Sequence, residues 1–243
     1  MKKLTLSLLM LCGSLCCFSQ VKLKVQAGVG LTSITKSEDY KPNIGYRIGV
    51  GLEVPIDNMW SFQSTLFFLN KSFSFDKYIY QVLPPASGYY GIYNLSDSKI
   101  NALYLQLPLQ IAVRIPFHSQ FGMQLSAGPY IAYGIGGKSW TRFAFILREQ
   151  IYKDPSQSVP INDLKRDKTD TFSDDGLKRF DLGLTLGLNF VYKRLFAGVG
   201  FEYGLMPIAT NMPKSPLAYR IGMDKTEVSP HHLGFNTCIG FSF

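Results

Sequence analysis

From Val21 onward the chain alternates apolar residues with polar or small ones, the two-residue period of a strand whose faces have different surroundings. The alternation recurs in eight segments. Each is long enough to cross a bilayer as a tilted strand, which takes about 9–11 residues. In the first, Val21 to Thr35, the residues Val21, Leu23, Val25, Ala27, Val29 and Leu31 share one face, with Lys22, Lys24, Gln26, Gly28 and Gly30 opposite. In the second, Ile44, Tyr46, Ile48, Val50, Leu52 and Val54 alternate with Gly45, Arg47, Gly49, Gly51 and Glu53. The third, Trp60 to Ser74, loses the period where Leu66, Phe67, Phe68 and Leu69 run together, and a β-bulge is expected to account for it. The fourth, Ile100 to Ile115, sets Leu103, Leu105, Leu107, Leu109, Ile111 and Val113 against Tyr104, Gln106, Gln110 and Arg114. The fifth starts at Phe121, and proline interrupts both this segment and the one before it. The last three start at Phe180, Leu195 and Leu233, and their polar faces carry Asp181, Thr185, Asn189, Glu202 and Asn236 among glycines.

Connections alternate in length. Short links at Pro55 to Met59, Pro116 to Gln120 and Lys193 to Arg194 separate long ones at Lys36 to Asn43, Phe75 to Lys99, Gly136 to Lys178 and Ala209 to Pro230. That is the layout of an all-β, eight-stranded antiparallel up-and-down transmembrane barrel, with short periplasmic turns and long extracellular loops.

Alternation alone does not say which face points outward. The interior of an eight-stranded barrel is just wide enough to be filled by side chains, so large apolar residues from every strand would crowd it, whereas glycine, glutamine and paired charges fit. The apolar face therefore goes to lipid. Arg47, Glu53, Arg114, Asp181 and Glu202, together with Lys22 and Lys24, are expected to form an interior polar network, because an unpaired buried charge is costly. Trp60, Phe62, Phe117, Phe121, Phe190, Tyr192, Phe196, Phe241 and Phe243 gather at the strand ends near the short links, as an interfacial girdle would.

The first twenty residues read differently. Lys2 and Lys3 precede the apolar run Leu4 to Leu11 and a weakly polar exit at Cys16 to Gln20, the pattern of a cleaved signal peptide ending near Ser19 or Gln20. The domain expectation is a signal over 1–20 and a barrel over 21–243. Cys12, Cys16 and Cys17 leave with the signal, so Cys238 has no intramolecular partner, and the residues before the three cysteines do not suit lipidation. No later run approaches the roughly 20 apolar residues of a spanning helix. The net charge is +8, or +6 without Lys2 and Lys3, but no basic stripe with interleaved aromatics accompanies it, so nucleic acid is not an expected partner.

Three stretches carry a family resemblance. Tyr104-Leu105-Gln106-Leu107-Pro108-Leu109 resembles the Tyr-Leu-(Glu/Gln)-(Ile/Leu)-Pro-Leu strand of the PorT-like outer-membrane β-barrel family of Bacteroidota. Ala127-Gly128-Pro129-Tyr130, followed by Tyr133 and Lys138, resembles that family's next strand. The third comprises Phe180-Asp181-Leu182-Gly183 through Gly187, and Phe201-Glu202-Tyr203-Gly204-Leu205. The resemblance implies location in the cell outer membrane, contact with its lipid, and delivery by the barrel-assembly machinery, with Phe243 as the terminal aromatic signal. It also implies prolines inside paired strands, where they cannot donate to the ladder, and a paired distortion of neighbouring strands is the physical expectation. The family's founding member is associated with protein secretion, and nothing in the residues ties this chain to that branch.

Candidate chemistry is sparse. His231 and His232 are adjacent on a strand, so they point to opposite faces and do not converge on one atom; His118 lies in a short link. Polar residues near headgroups are the expected role of all three. The acidic loop with Asp167, Asp170, Asp174 and Asp175 has no calcium-loop spacing and is diluted by Lys165, Arg166 and Lys168. The glycines at strand spacing lack the helix a phosphate loop needs. Cys238 reads as a small core residue. The reading is thus a noncatalytic barrel without cofactor or metal, whose long loops bind a protein partner or join an envelope or secretion complex. A lipid-modifying enzyme and a secretion component are the alternatives, and a wide pore is disfavoured by strand number.

Overall fold

The computed structural model describes residues 21–36, 40–81, 92–118, 120–143, 165–173, 176–209, 212–213 and 226–243, with backbone alone at 75–81, 92–97, 118, 141–143, 165–167 and 212–213. The expected signal peptide with its three cysteines, Asp174 and Asp175, and the side chains of His118 and Asp167 lie outside the described residues.

In chain order the strands are β1 (Lys22–Ile34), β2 (Tyr40–Pro55), β3 (Trp60–Gln81), β4 (Ile92–His118), β5 (Phe121–Gly136), β6 (Lys138–Phe143), β7 (Lys165–Asp170), β8 (Phe180–Tyr192), β9 (Leu195–Gly204), β10 (Met212–Pro213), β11 (Glu227–Val228) and β12 (His232–Ser242). Eight of them, in the order β3-β2-β1-β12-β9-β8-β5-β4, form an antiparallel sheet that the β3–β4 pairing closes. Closure leaves no edge among these strands, so their backbone polar groups pair within the wall, as a hydrocarbon surrounding demands.

The two faces differ as the barrel radius requires. Ile239 is 70% exposed and Leu186 56%, whereas Lys24 is 5%, Asp181 1% and Gln106 0% exposed. Apolar side chains point outward and polar ones fill the lumen. At the short-turn end Phe117 stacks on Phe121 (centroids 5.9 Å apart) and Phe121 on Phe190 (6.4 Å). Phe196 departs from the girdle expected for it: it is inward and buried, with the Lys24 ammonium 5.0 Å from its ring.

The run Leu66–Leu69 holds no bulge. Register with β4 is unchanged from Ser64↔Leu109 to Phe67↔Gln106, and alternation simply continues with Phe67 and Leu69 facing the lumen beside Gln63, Thr65 and Lys71. Pro108 and Pro129, inside the paired strands, do not shift the register. Pairing lapses beside Pro108 on the β3 side and between Pro108↔Tyr130 and Ile111↔Ala127 on the β5 side, and register resumes intact. A missing N–H removes local bonds and leaves the strand's path unaltered. Gly128 suits this crossing, since a Cβ there would stand 2.0 Å from the Leu109 carbonyl oxygen. The register shifts fall elsewhere, between Pro42 and Arg47 on β2, and at Leu103/Tyr104 and Pro116/His118 on β4.

Two expected loops contain strand among their described residues. β3 and β4 run 22 and 27 residues and pair as far as Gln81↔Ile92, well past the length a bilayer crossing uses. Within the stretch 136–178, β6 pairs with β4 and β7 with β6, so the barrel wall continues upward as a four-stranded sheet. Gly137, at φ 142°, makes the corner from β5 into β6, a conformation that L side chains rarely adopt.

Candidate functional site in the barrel lumen

Inward polar residues from different strands meet in three tiers. At the short-turn end, Lys24 on β1 lies 2.7 Å from Glu53 Oε2 on β2, and its ammonium donates to Gln63 Oε1 at 3.0 Å and Gln124 Oε1 at 3.4 Å. Glu53 Oε1 also accepts from Gln124 Nε2 at 3.2 Å and from Arg114 Nη2 at 3.5 Å. One carboxylate thus ties β1, β4 and β5 to β2.

In the middle tier Arg47 Nη1 donates to Glu202 Oε1 at 2.8 Å, and Gln106 Nε2 donates to the same oxygen at 3.0 Å. The Arg47 guanidinium lies over Phe67, 4.1 Å from the ring centre, so the aromatic residue that breaks the apolar-out pattern supplies a cation–π face.

At the long-loop end Asp181 on β8 is the hub. Its Oδ2 accepts from Lys71 Nζ at 2.8 Å and from the Tyr130 hydroxyl at 3.2 Å, and lies 2.9 Å from His232 Nδ1. The Lys71 ammonium is 4.8 Å and 5.3 Å from the Tyr130 and Tyr104 ring centres. Above this tier an apolar plug closes the mouth: Phe172 and Leu177, after β7, and Ile208, after β9, pack with Phe73, Tyr104 and Tyr130. Backbone bonds hold the plug, Leu177 N to Thr171 O at 2.8 Å, Lys178 N to Ile208 O at 2.7 Å and Ile208 N to Pro230 O at 2.9 Å.

The filled lumen leaves spaces of about 50 Å³ and 20 Å³ between the tiers, room for isolated waters. Of the residues expected in an interior network, Arg47 meets Glu202, and Glu53 meets Arg114 with Lys24 closer. Asp181 meets Lys71 and His232 instead, two residues that sequence reasoning did not place there. Lys71 was legible in principle, since it shares the parity of Gln63 and Thr65 on β3. His232, expected near headgroups, is buried and perpendicular to Tyr104, while His231 stacks on Tyr203, facing the other way. His232 and Asp181 have the geometry of an oriented base, yet Nε2 has no hydrogen-bond partner, so among the described residues no nucleophile hydroxyl or thiol is in reach. Phe243 keeps its ring exposed and donates its N–H to Leu23 O at 2.8 Å.

Outside the barrel, Lys138 pairs with Asp170, and the ammonium holds that carboxyl below the usual carboxylate range. Among the described residues no three His, Cys, Asp or Glu side chains gather as a metal site.

Residues 13–210 match the family described as outer membrane protein beta-barrel domain. No curated protein matches the chain. Among solved structures, it is similar to the attachment invasion locus protein Ail of Yersinia pestis (8% identity, TM-score 0.41, covering 92% of this chain and 99% of that one). It is also similar to OprG of Pseudomonas aeruginosa (12%, 0.42, 92% and 96%) and to Neisserial surface protein A (10%, 0.37, 92% and 97%). The fold assignment rests on the strand pairing and the family match.

Proposed function

The chain belongs to the outer membrane protein beta-barrel domain family and resides in the outer membrane, and from that premise we propose that it is a noncatalytic, plugged barrel that acts through the structure it raises above the membrane. The observation that carries this reading is a contrast along the barrel axis. The lumen is filled by ion pairs and an apolar plug, whereas β3, β4, β6 and β7 continue past the bilayer as a sheet. A rigid scaffold that lifts loops into solvent suits recognition, and a sealed interior does not suit transport.

The finer assignments belong to the same reading. Residues 1–20 are a signal removed on export, the mass of the mature protein being the check. The stretches at Tyr104–Leu109 and Ala127–Tyr130 support a place in the PorT-like branch, and Phe243 acts as the aromatic signal to the assembly machinery. The interior network of Arg47, Glu53, Arg114, Asp181 and Glu202 serves to hold the walls together and shut.

A photo-crosslinking amino acid at Lys168, on the raised sheet, tests the proposal against one at Leu186, on the lipid face. Irradiation of whole cells should give a protein or glycan adduct at 168 and lipid alone at 186, with the purified barrel electrically silent in planar bilayers. A conducting barrel with no adduct at 168 would sink it. The identity of the adduct separates a secretion component from another envelope partner.

A further inference from the structure

The other end of the barrel holds a recess that the plugged-barrel reading leaves unused. Below the tier of Lys24 and Glu53, at the periplasmic mouth, a hollow of about 230 Å³ lies between the inner wall and the turn that links β8 to β9. Five cations line it, Lys22, Lys24, Arg114, Lys193 and Arg194. The acidic side chain of the tier above, Glu53, is already engaged by Lys24 and Arg114. The acid of the neighbouring turn, Asp57, is occupied by the amides of Met59 and Trp60, each 2.7 Å from its Oδ1. Among the described residues Lys22, Lys193 and Arg194 form no pair with a carboxylate.

A second observation points the same way. Arg114 keeps about a third of its side chain exposed, and its ion pair with Glu53, through Nη2, is long at 3.5 Å, so the guanidinium has donors to spare.

The hollow is also held in shape. Lys193 N donates to Gln120 O at 2.8 Å, Ser242 N to Arg194 O at 2.7 Å, and Phe243 N to Leu23 O at 2.8 Å, which fixes the rim without any ligand. Lys193 adopts φ 55°, setting the tight two-residue link that carries the two rim cations. Its size suits a compact group, being smaller than pockets that enclose drug-sized molecules.

We propose that this recess is a binding site for a phosphate-type oxyanion. Several oxygens on one centre would accept from the exposed part of the Arg114 guanidinium while Lys22, Lys193 and Arg194 balance the charge, the chemistry for which arginine and lysine are suited. The rim lies level with the ring row of Phe121 and Phe190, so the group arrives either on an anionic lipid of the inner leaflet or free in solution.

The full chain, isolated from outer membranes in neutral detergent, separates these sources. Calorimetric titration with inorganic pyrophosphate at low salt reads the free anion, and native mass spectrometry after mixing with equal phosphatidylglycerol and phosphatidylcholine reads the lipid. Binding in either assay supports the site, and each names its source. The double variant Lys193→Asn, Arg194→Gln should weaken whichever binding is seen roughly ten-fold. These rim and surface changes leave the interior tiers intact, and heat-modifiable migration on gels confirms folding. Pyrophosphate and phosphatidylglycerol both bound no better than their neutral counterparts, or binding untouched in the double variant, would overturn the proposal.

Discussion

Arg47 and Glu202 meet across the lumen at 2.8 Å although their strands, β2 and β9, are separated in the wall by β1 and β12. The contact therefore braces the barrel through its interior, and both groups are almost wholly withdrawn from solvent. Removing one partner strands the other's charge. Arg47→Ala is expected to destabilise the folded barrel by about 3–5 kcal/mol, and Arg47→Met with Glu202→Gln by clearly less, since a neutral pair needs no compensation. Reversible urea unfolding of both variants in micelles is the measurement, and equal losses would show that packing rather than charge governs the site.

Leu186 stands midway along β8 on the outward face, and Phe180 at the end of the same strand. Leu186→Arg should cost about 2–4 kcal/mol in a bilayer and Phe180→Arg at most about 1 kcal/mol, because the penalty follows depth in hydrocarbon. Folding into lipid vesicles measures it. Indistinguishable costs would mean that this face does not meet lipid.

Phe172 caps the lumen, its ring 5.4 Å from and perpendicular to Tyr104. Phe172→Ala removes a buried aromatic from the plug and should cost about 3 kcal/mol, within the range for such truncations. Bilayer recordings should stay silent nonetheless, since the two lower tiers still fill the interior. Conductance from this single change would place the seal in the plug alone.

Asp170 and Lys138 offer the opposite case, an ion pair on the raised sheet in open solvent. The lowered carboxyl means that any contribution is present above the usual carboxylate pKa and fades as pH falls through the depressed value. Exposure makes that contribution small. Asp170→Asn should leave the unfolding midpoint the same at pH 7 and at pH 5, and a clear shift at pH 7 would show that the sheet is coupled to barrel stability.

Alternation by itself marked the eight strands of the barrel wall and the face that most of their residues present, because the pleat turns every second side chain outward and the narrow lumen admits few large apolar groups; β6, β7 and the far ends of β3 and β4 it left as loop. It therefore put Arg47, Glu53, Arg114, Asp181 and Glu202 on the inner face, and it carried the clue to Lys71 that four consecutive apolar residues obscured. Pairing across the lumen was another matter. Asp181 finds Lys71 at a sequence separation of 110 and His232 at 51, and which cation reaches which acid depends on strand order, tilt and register, all properties of the closed ring. Phe172, Leu177 and Ile208 read as loop residues because they follow no period, and they become core only when the chain folds back over the mouth. Local periodicity is written residue by residue; contacts between distant segments exist only once the barrel has closed.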